Sequence, residues 1–150
     1  MSRHGLYFED FACGSTFATD RRTITEADHV NFTTAFGFFE PLFMDRAYVI
    51  QETPYEKPIV PGALTFAVAE GLTILSGILH GTGLAFLGVE LKVVGPVFIG
   101  DSIHVDITVI EKRNTKKPDR GIVAFSHQVV NQDGSSVMTY EVRRMIRCRQ

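Results

Sequence analysis

Tryptophan is absent from this 150-residue chain, and cysteine is scarce, with only Cys13 and Cys148 near opposite ends. The two form no CxxC pair, so neither a disulfide framework nor a structural zinc site is expected, and the reducing cytoplasm is the expected compartment. A basic excess is missing too: 15 Lys and Arg against 17 Asp and Glu leave a formal net charge of −2 and a pI near 6.2. Nucleic-acid and membrane-surface binding both draw on such an excess, so neither is expected. The first residues are polar and lead into Tyr7, Phe8 and Phe11 with no apolar run behind the basic residue, so no signal peptide is expected. The one long apolar stretch, residues 63–79, is shorter than the ~20 residues of a membrane span and carries Glu70 at its middle. With a mean hydropathy of +0.08 for the chain, it reads as a helix buried on most sides inside a core. There are no repeats, low-complexity tracts or linkers, so residues 1–150 read as one domain.

What is present divides into two halves. Residues 16–24 are strand-like, and Thr25 is placed to cap a helix, with Glu26 in its first turn and Asp28 three residues on. That helix stops near Gly37. Pro41 opens a second short helical segment, residues 44–51, followed by a loop rich in Pro and charge at 52–58. Pro61-Gly62 leads into the long apolar helix, which is expected to end around residues 80–83. The second half reads as four strands, 85–98, 102–112, 121–131 and 136–147, with turns at Gly100-Asp101 and Asp133-Gly134 and a longer tip at 114–120. His104-Val105-Asp106-Ile107-Thr108-Val109 alternates cleanly, the mark of a strand with one covered and one wet face. A helical half followed by antiparallel strands is the α+β pattern. Wrapping the sheet round residues 63–79 is the economical way to bury them.

That architecture is the hotdog fold, and several ordered motifs resemble one branch of it, the MaoC-like dehydratases and (R)-specific enoyl-CoA hydratases. They are Tyr7-Phe8-Glu9-Asp10-Phe11 with Gly14, Thr23 through Asp28, residues 37–48, Pro61-Gly62, Pro96-Val97 with Gly100-Asp101, and Asn131-Gln132 with Gly134. Together they cover nearly the whole chain. The family's hydratase signature runs Gly-Asp, any residue, Asn-Pro, an aliphatic residue, then His, and its Asp and His activate the water. This chain keeps Gly37, Pro41, Leu42 and Asp45 but has Phe38 at the Asp position, Glu40 at the Asn and Phe43 at the His. A phenyl ring neither accepts nor delivers a proton, so the family's acid–base pair is missing.

Candidate site residues follow from the resemblance and from the chemistry of the side chains. Gly62 and Ala63 begin the central helix, where free N–H groups and the helix dipole face outward. The resemblance implies that this end polarises a thioester carbonyl; the plainer reading of Pro61-Gly62 is a helix-entry turn. Glu70, eight residues on, matches the spacing of a catalytic Glu in one branch of hotdog thioesterases. Its plainer roles are pairing with an Arg or facing a subunit interface. Glu40 is either a displaced general base or a cap for the following turn. Phe38, Phe39 and Phe43, with Phe32 and Phe36, form either core packing or an apolar floor for an acyl group. Lys112, Arg113, Lys116 and Lys117 suit coenzyme A phosphates, or a solvated hairpin tip. His80 reads as a helix C-terminal residue or a proton shuttle. His29, His104 and His127 lack metal-ligand spacing, so no metal is expected.

Three functions follow. The leading one is a hydro-lyase, a MaoC-like hydratase or dehydratase acting on an acyl-CoA or acyl carrier protein thioester through a displaced group such as Glu40. The second is a thioesterase using Gly62 and Glu70. The third is a silent acyl-thioester-binding or structural subunit working beside an active MaoC-like partner. No cofactor is expected beyond the thioester substrate itself. A homodimer or higher homo-oligomer is expected, since hotdog sheets commonly pair edge to edge.

Overall fold

The computed structural model describes residues 4–150. After a short 3₁₀ turn at Phe8–Asp10, the expected strand at 16–24 is two short pieces, β1 (Thr16–Ala18) and β2 (Arg22–Thr23). Helix α1 (Glu26–Phe36) opens on a capping box: the Thr25 hydroxyl accepts from the Asp28 N–H, and the Asp28 carboxylate accepts from the Thr25 N–H. It ends at Gly37, whose φ of 75° takes the left-handed turn that favours glycine. The expected single helical segment after Pro41 is two helices, α2 (Pro41–Met44) and α3 (Arg46–Glu52). Asp45 divides them, in extended conformation, and its carboxylate caps α3 by accepting from the Tyr48 N–H.

Helix α4 (Gly62–Leu75) is followed by β3 (Gly83–Val93), β4 (Ser102–Asn114), β5 (Arg120–Val130) and β6 (Ser136–Arg147). The sheet runs in the order β1-β4-β5-β6-β3 with all pairings antiparallel, and β2 also pairs with β4. This is the α+β hotdog arrangement, a sheet curved around α4. Strand β4 alternates as its sequence implies, with Ile103, Val105, Ile107 and Val109 buried. They meet Leu64, Val68, Ala69 and Leu72 of α4 in the core, with Phe11, Phe125 and Val142.

Three expectations are corrected. Helix α4 stops at Leu75 rather than near residue 80, because Ser76 and then Gly77, at φ 84°, turn the chain. Nor is α4 buried on most sides. Leu64, Thr65, Val68, Ala69, Leu72 and Thr73 are covered, but Ile74 and Leu75 are 66% and 74% exposed. The sheet covers one side of the helix only. Gly100-Asp101 is a turn, but it does not join paired strands: β3 lies at one edge beside β6, while β4 lies between β1 and β5. The Asp101 carboxylate ties this turn together by accepting from the Phe98 N–H and the Gln132 side-chain amide.

Candidate functional site

The N-terminus of α4 opens into a cavity of about 320 Å³. Its walls come from four places: Gly62 and Thr65 on the first turn of α4, Val93 through Val97 at and after the end of β3, Val137 and Met138 at the start of β6, and Phe43 and Tyr55 from the segment before the helix. The Pro61 carbonyl accepts from the N–H groups of Leu64 and Thr65 at 2.9 and 3.2 Å. The N–H groups of Gly62 and Ala63 have no acceptor among the described residues, as expected of a helix start. Glycine matters at position 62 for space: a Cβ there would stand 3.3 Å from Val93 Cγ2, crowding the mouth of the cavity.

Phe43 is held in the wall by its own backbone. Its carbonyl accepts from His29 Nε2 at 2.8 Å, which ties α2 to α1. The Phe38 ring stands 6.3 Å from that of Phe43, and Phe32 packs against both Phe36 and Phe38 at 5.1 Å. The remaining lining is aliphatic, from Ile59, Val60, Val137 and Met138. The cavity therefore offers an apolar chamber with free backbone donors at one end, an arrangement suited to a neutral carbonyl joined to an apolar chain.

A family model described as a MaoC like domain matches residues 10–131. The chain belongs to the MaoC-like family. It is 36% identical over 115 residues to Protein MaoC of Klebsiella aerogenes, covering 76% of this chain but 33% of that protein. The chain thus spans about a third of that relative's length. It is also 33% identical over 103 residues to the (R)-specific enoyl-CoA hydratase of Aeromonas caviae, covering 69% of this chain and 72% of the relative. Among solved structures, the MaoC-like dehydratase of Rhodospirillum rubrum superposes with a TM-score of 0.87 at 28% identity, over 97% of this chain and 99% of that one.

Within this MaoC-like chain, the residues singled out in the sequence are only partly brought together. Gly62 and Phe43 line one cavity, with Ala63 beside them and Phe38 behind Phe43. Phe39 does not join them and is 64% exposed, because the chain leaves α1 through Gly37 and turns this ring outward. Glu40 sits at the N-terminus of α2, exposed, making no capping hydrogen bond, and does not line the cavity.

Glu70 is drawn elsewhere. Its Oε2 accepts from the Tyr140 hydroxyl at 2.8 Å and from Arg144 Nη2 at 2.7 Å. The Arg144 side chain is 8% exposed and lies over the rings of Phe86 and Phe125. Burial and the Glu70 carboxylate push the Tyr140 phenol up, so Tyr140 stays a donor. His127 stacks on Tyr140 with ring centres 4.5 Å apart. Glu70 is thus paired with an Arg, the plainer of its sequence roles. The cause lies in β6, where Tyr140 and Arg144 point to the helix side.

The basic tip is remote. Register links the Gly62 end of the sheet, at Val93, through Met138 and Val129 to Val105 on β4. Lys112 is seven residues further along that strand, or ~23 Å at ~3.3 Å per residue. Lys112 Nζ lies 4.4 Å over the Phe8 ring; Arg113, Lys116 and Lys117 are exposed at the tip. His80 lines a separate groove with Gly83, Leu84 and Phe86.

Tyr55 and Thr65 belong to the cavity and were not singled out in the sequence. Thr65 had a legible signal: three residues beyond Gly62 on a helix, it must share that glycine's face.

Proposed function

We propose that this MaoC-like chain binds an acyl thioester, with its carbonyl at the N-terminus of α4 and its acyl chain in the cavity behind Phe43. The observation that carries the reading is the cavity itself: free Gly62 and Ala63 N–H groups at the mouth of an apolar chamber of about 320 Å³. The (R)-specific enoyl-CoA hydratase relative supports a thioester as the ligand. Among the described residues, no carboxylate or imidazole lines this cavity. Phe38 and Phe43 stand at the signature positions, Glu70 is engaged by Tyr140 and Arg144, and Glu40 lies outside. The chain on its own therefore holds the thioester without an acid–base pair for hydration, and such a pair would come from an active MaoC-like partner. The test is titration with crotonyl-CoA, following conjugated-thioester absorbance and free thiol together. Binding without either change supports the reading; loss of absorbance in the isolated chain contradicts it.

A second reading, hydration by Glu40, draws on one observation. Its carboxylate is unengaged and exposed, three residues before Phe43 in the cavity wall. It requires that the isolated chain hydrate crotonyl-CoA and that Glu40→Gln abolish the activity.

The reading includes a second copy of the chain. All eleven residues of β3 are exposed, and the strand is an unpaired edge. Phe86, Val89, Leu91 and Val93 pair with core-facing positions of β6, so they form an apolar row on the helix side, with the exposed Ile74 of α4 sharing a groove with Phe86. An edge of this length and an apolar patch beside it are what a two-fold partner covers. Antiparallel self-pairing sets the residue-83 end of one β3 beside the residue-93 end of the other. The groove at 83–86 then meets the partner's cavity mouth. Native mass spectrometry of the purified chain tests this: an even-numbered assembly is expected, and a monomer contradicts it.

A further inference from the structure

Four threonines lie in the helices of the described residues. Three do what helical threonines ordinarily do and donate to a carbonyl one turn back. Thr33 donates to His29 O at 2.8 Å, Thr34 to Val30 O at 2.6 Å and Thr73 to Ala69 O at 3.0 Å. The fourth, Thr65, does not. The carbonyl one turn behind it belongs to Pro61 and already takes the N–H groups of Leu64 and Thr65. Its hydroxyl is buried with no partner, in a residue 1% exposed. Yet this residue lines the cavity at Gly62. A buried hydroxyl left unpaired is costly, and one beside an open helix start asks what ligand completes it.

The helix geometry places it well. Residues three apart share a face, and Cα–Cβ bonds on a helix tilt towards its N-terminus. The Thr65 side chain therefore lies over the first turn, on the side of Gly62. We propose that the Thr65 hydroxyl is a further donor to the ligand's carbonyl oxygen, joining a backbone N–H of the helix start to polarise the thioester. This rests on the acyl-thioester reading above and assigns Thr65 a part in it. A carbonyl oxygen has two lone pairs, so a backbone N–H and a hydroxyl approaching from one side of the helix start both find an acceptor.

The experiment uses the full chain and butyryl-CoA labelled with ¹³C at the thioester carbonyl. Isotope-edited infrared difference spectra report the carbonyl stretch in the complex, and calorimetric titration reports affinity. In the wild type, hydrogen bonding is expected to hold the stretch at low frequency. Thr65→Val keeps the shape and removes the donor: the stretch is expected to move up and the affinity to fall about five- to tenfold, the weight of one hydrogen bond. Thr65→Ser restores the donor and is expected to return both. Because Val removes an unpaired buried hydroxyl, the melting temperature of Thr65→Val without ligand is expected to be preserved or raised. A merely structural threonine would lower it. An unchanged stretch in Thr65→Val, or a Ser variant that behaves like Val, overturns the role of Thr65 and leaves thioester binding standing. A wild-type chain that does not bind butyryl-CoA overturns the acyl-thioester reading, and the role of Thr65 falls with it.

Discussion

Acid is expected to weaken this protein through His127, and the size of the effect follows from the residue's surroundings. The ring is 1% exposed, stacked on Tyr140, and neither nitrogen has a hydrogen-bond partner. Burial, with the nearby Arg144 charge, lowers its pKa from 6.5 to about 3. Between those values the unfolded chain takes up a proton that the folded chain refuses. The stabilisation is therefore fully present above about pH 6.5 and is withdrawn as pH falls toward 3. Each unit is worth ~1.4 kcal/mol, so going from about pH 7 to about pH 4.5 costs ~2.5 kcal/mol through this one residue. His127→Phe keeps a flat ring against Tyr140 and removes both the titration and two unpaired nitrogens. Urea unfolding at the two pH values is the assay. Carboxylates whose pKa values are lowered in the fold, such as Asp28, with its bonds to Thr25 and Arg22, weaken both proteins alike as acid protonates them. The wild type is expected to lose ~2.5 kcal/mol more than the variant. Equal losses would show that His127 is protonated in the fold, and the reasoning would fail.

Other outcomes are expected from the same structure. Glu70→Ala strands the buried Arg144 guanidinium and is expected to cost ~3–5 kcal/mol in urea unfolding. Glu70→Gln keeps hydrogen-bonding atoms but removes the countercharge, and is expected to cost ~1.5–3 kcal/mol and to leave acyl-CoA affinity unchanged, since Glu70 lies outside the cavity. Gly62→Ala puts a Cβ 3.3 Å from Val93 Cγ2 at the mouth; calorimetric titration is expected to show acyl-CoA affinity reduced about tenfold, ~1.4 kcal/mol, with the melting temperature held. Phe38→Asp with Phe43→His is expected to create absorbance-detected hydration of crotonyl-CoA where the wild type shows none. Circular dichroism checks that the double variant is folded, because charge within an aromatic cluster is itself destabilising.

Much of the fold was legible because it rests on short-range patterning. The Thr25 capping box, the Gly37 stop and the alternation of β4 each carry a local physical signal, and β6 falls at the expected residues. The helix breaks were less legible. Asp45 splits one expected helix into two because an aspartate mid-segment caps the next turn as readily as it continues the last. Ser76-Gly77 ends α4 early although apolar residues continue beyond. At the site, Gly62 was legible from Pro61-Gly62 and the family resemblance. The fate of Glu70 was not, because its partners Tyr140 and Arg144 lie 70 and 74 residues away on β6. The place of Thr65 beside Gly62 was legible from helical spacing, but its unpaired hydroxyl was not, because that depends on the buried surroundings of the side chain.

The most direct test of the account is calorimetric titration of the purified chain with crotonyl-CoA and, separately, with coenzyme A alone, while absorbance and free thiol are followed in a parallel cuvette. Saturable binding is expected, tighter for crotonyl-CoA than for coenzyme A, with neither hydration nor thiol release. Equal affinity for the two ligands would contradict recognition of the thioester at Gly62, and turnover by the isolated chain would contradict the absence of its own acid–base group.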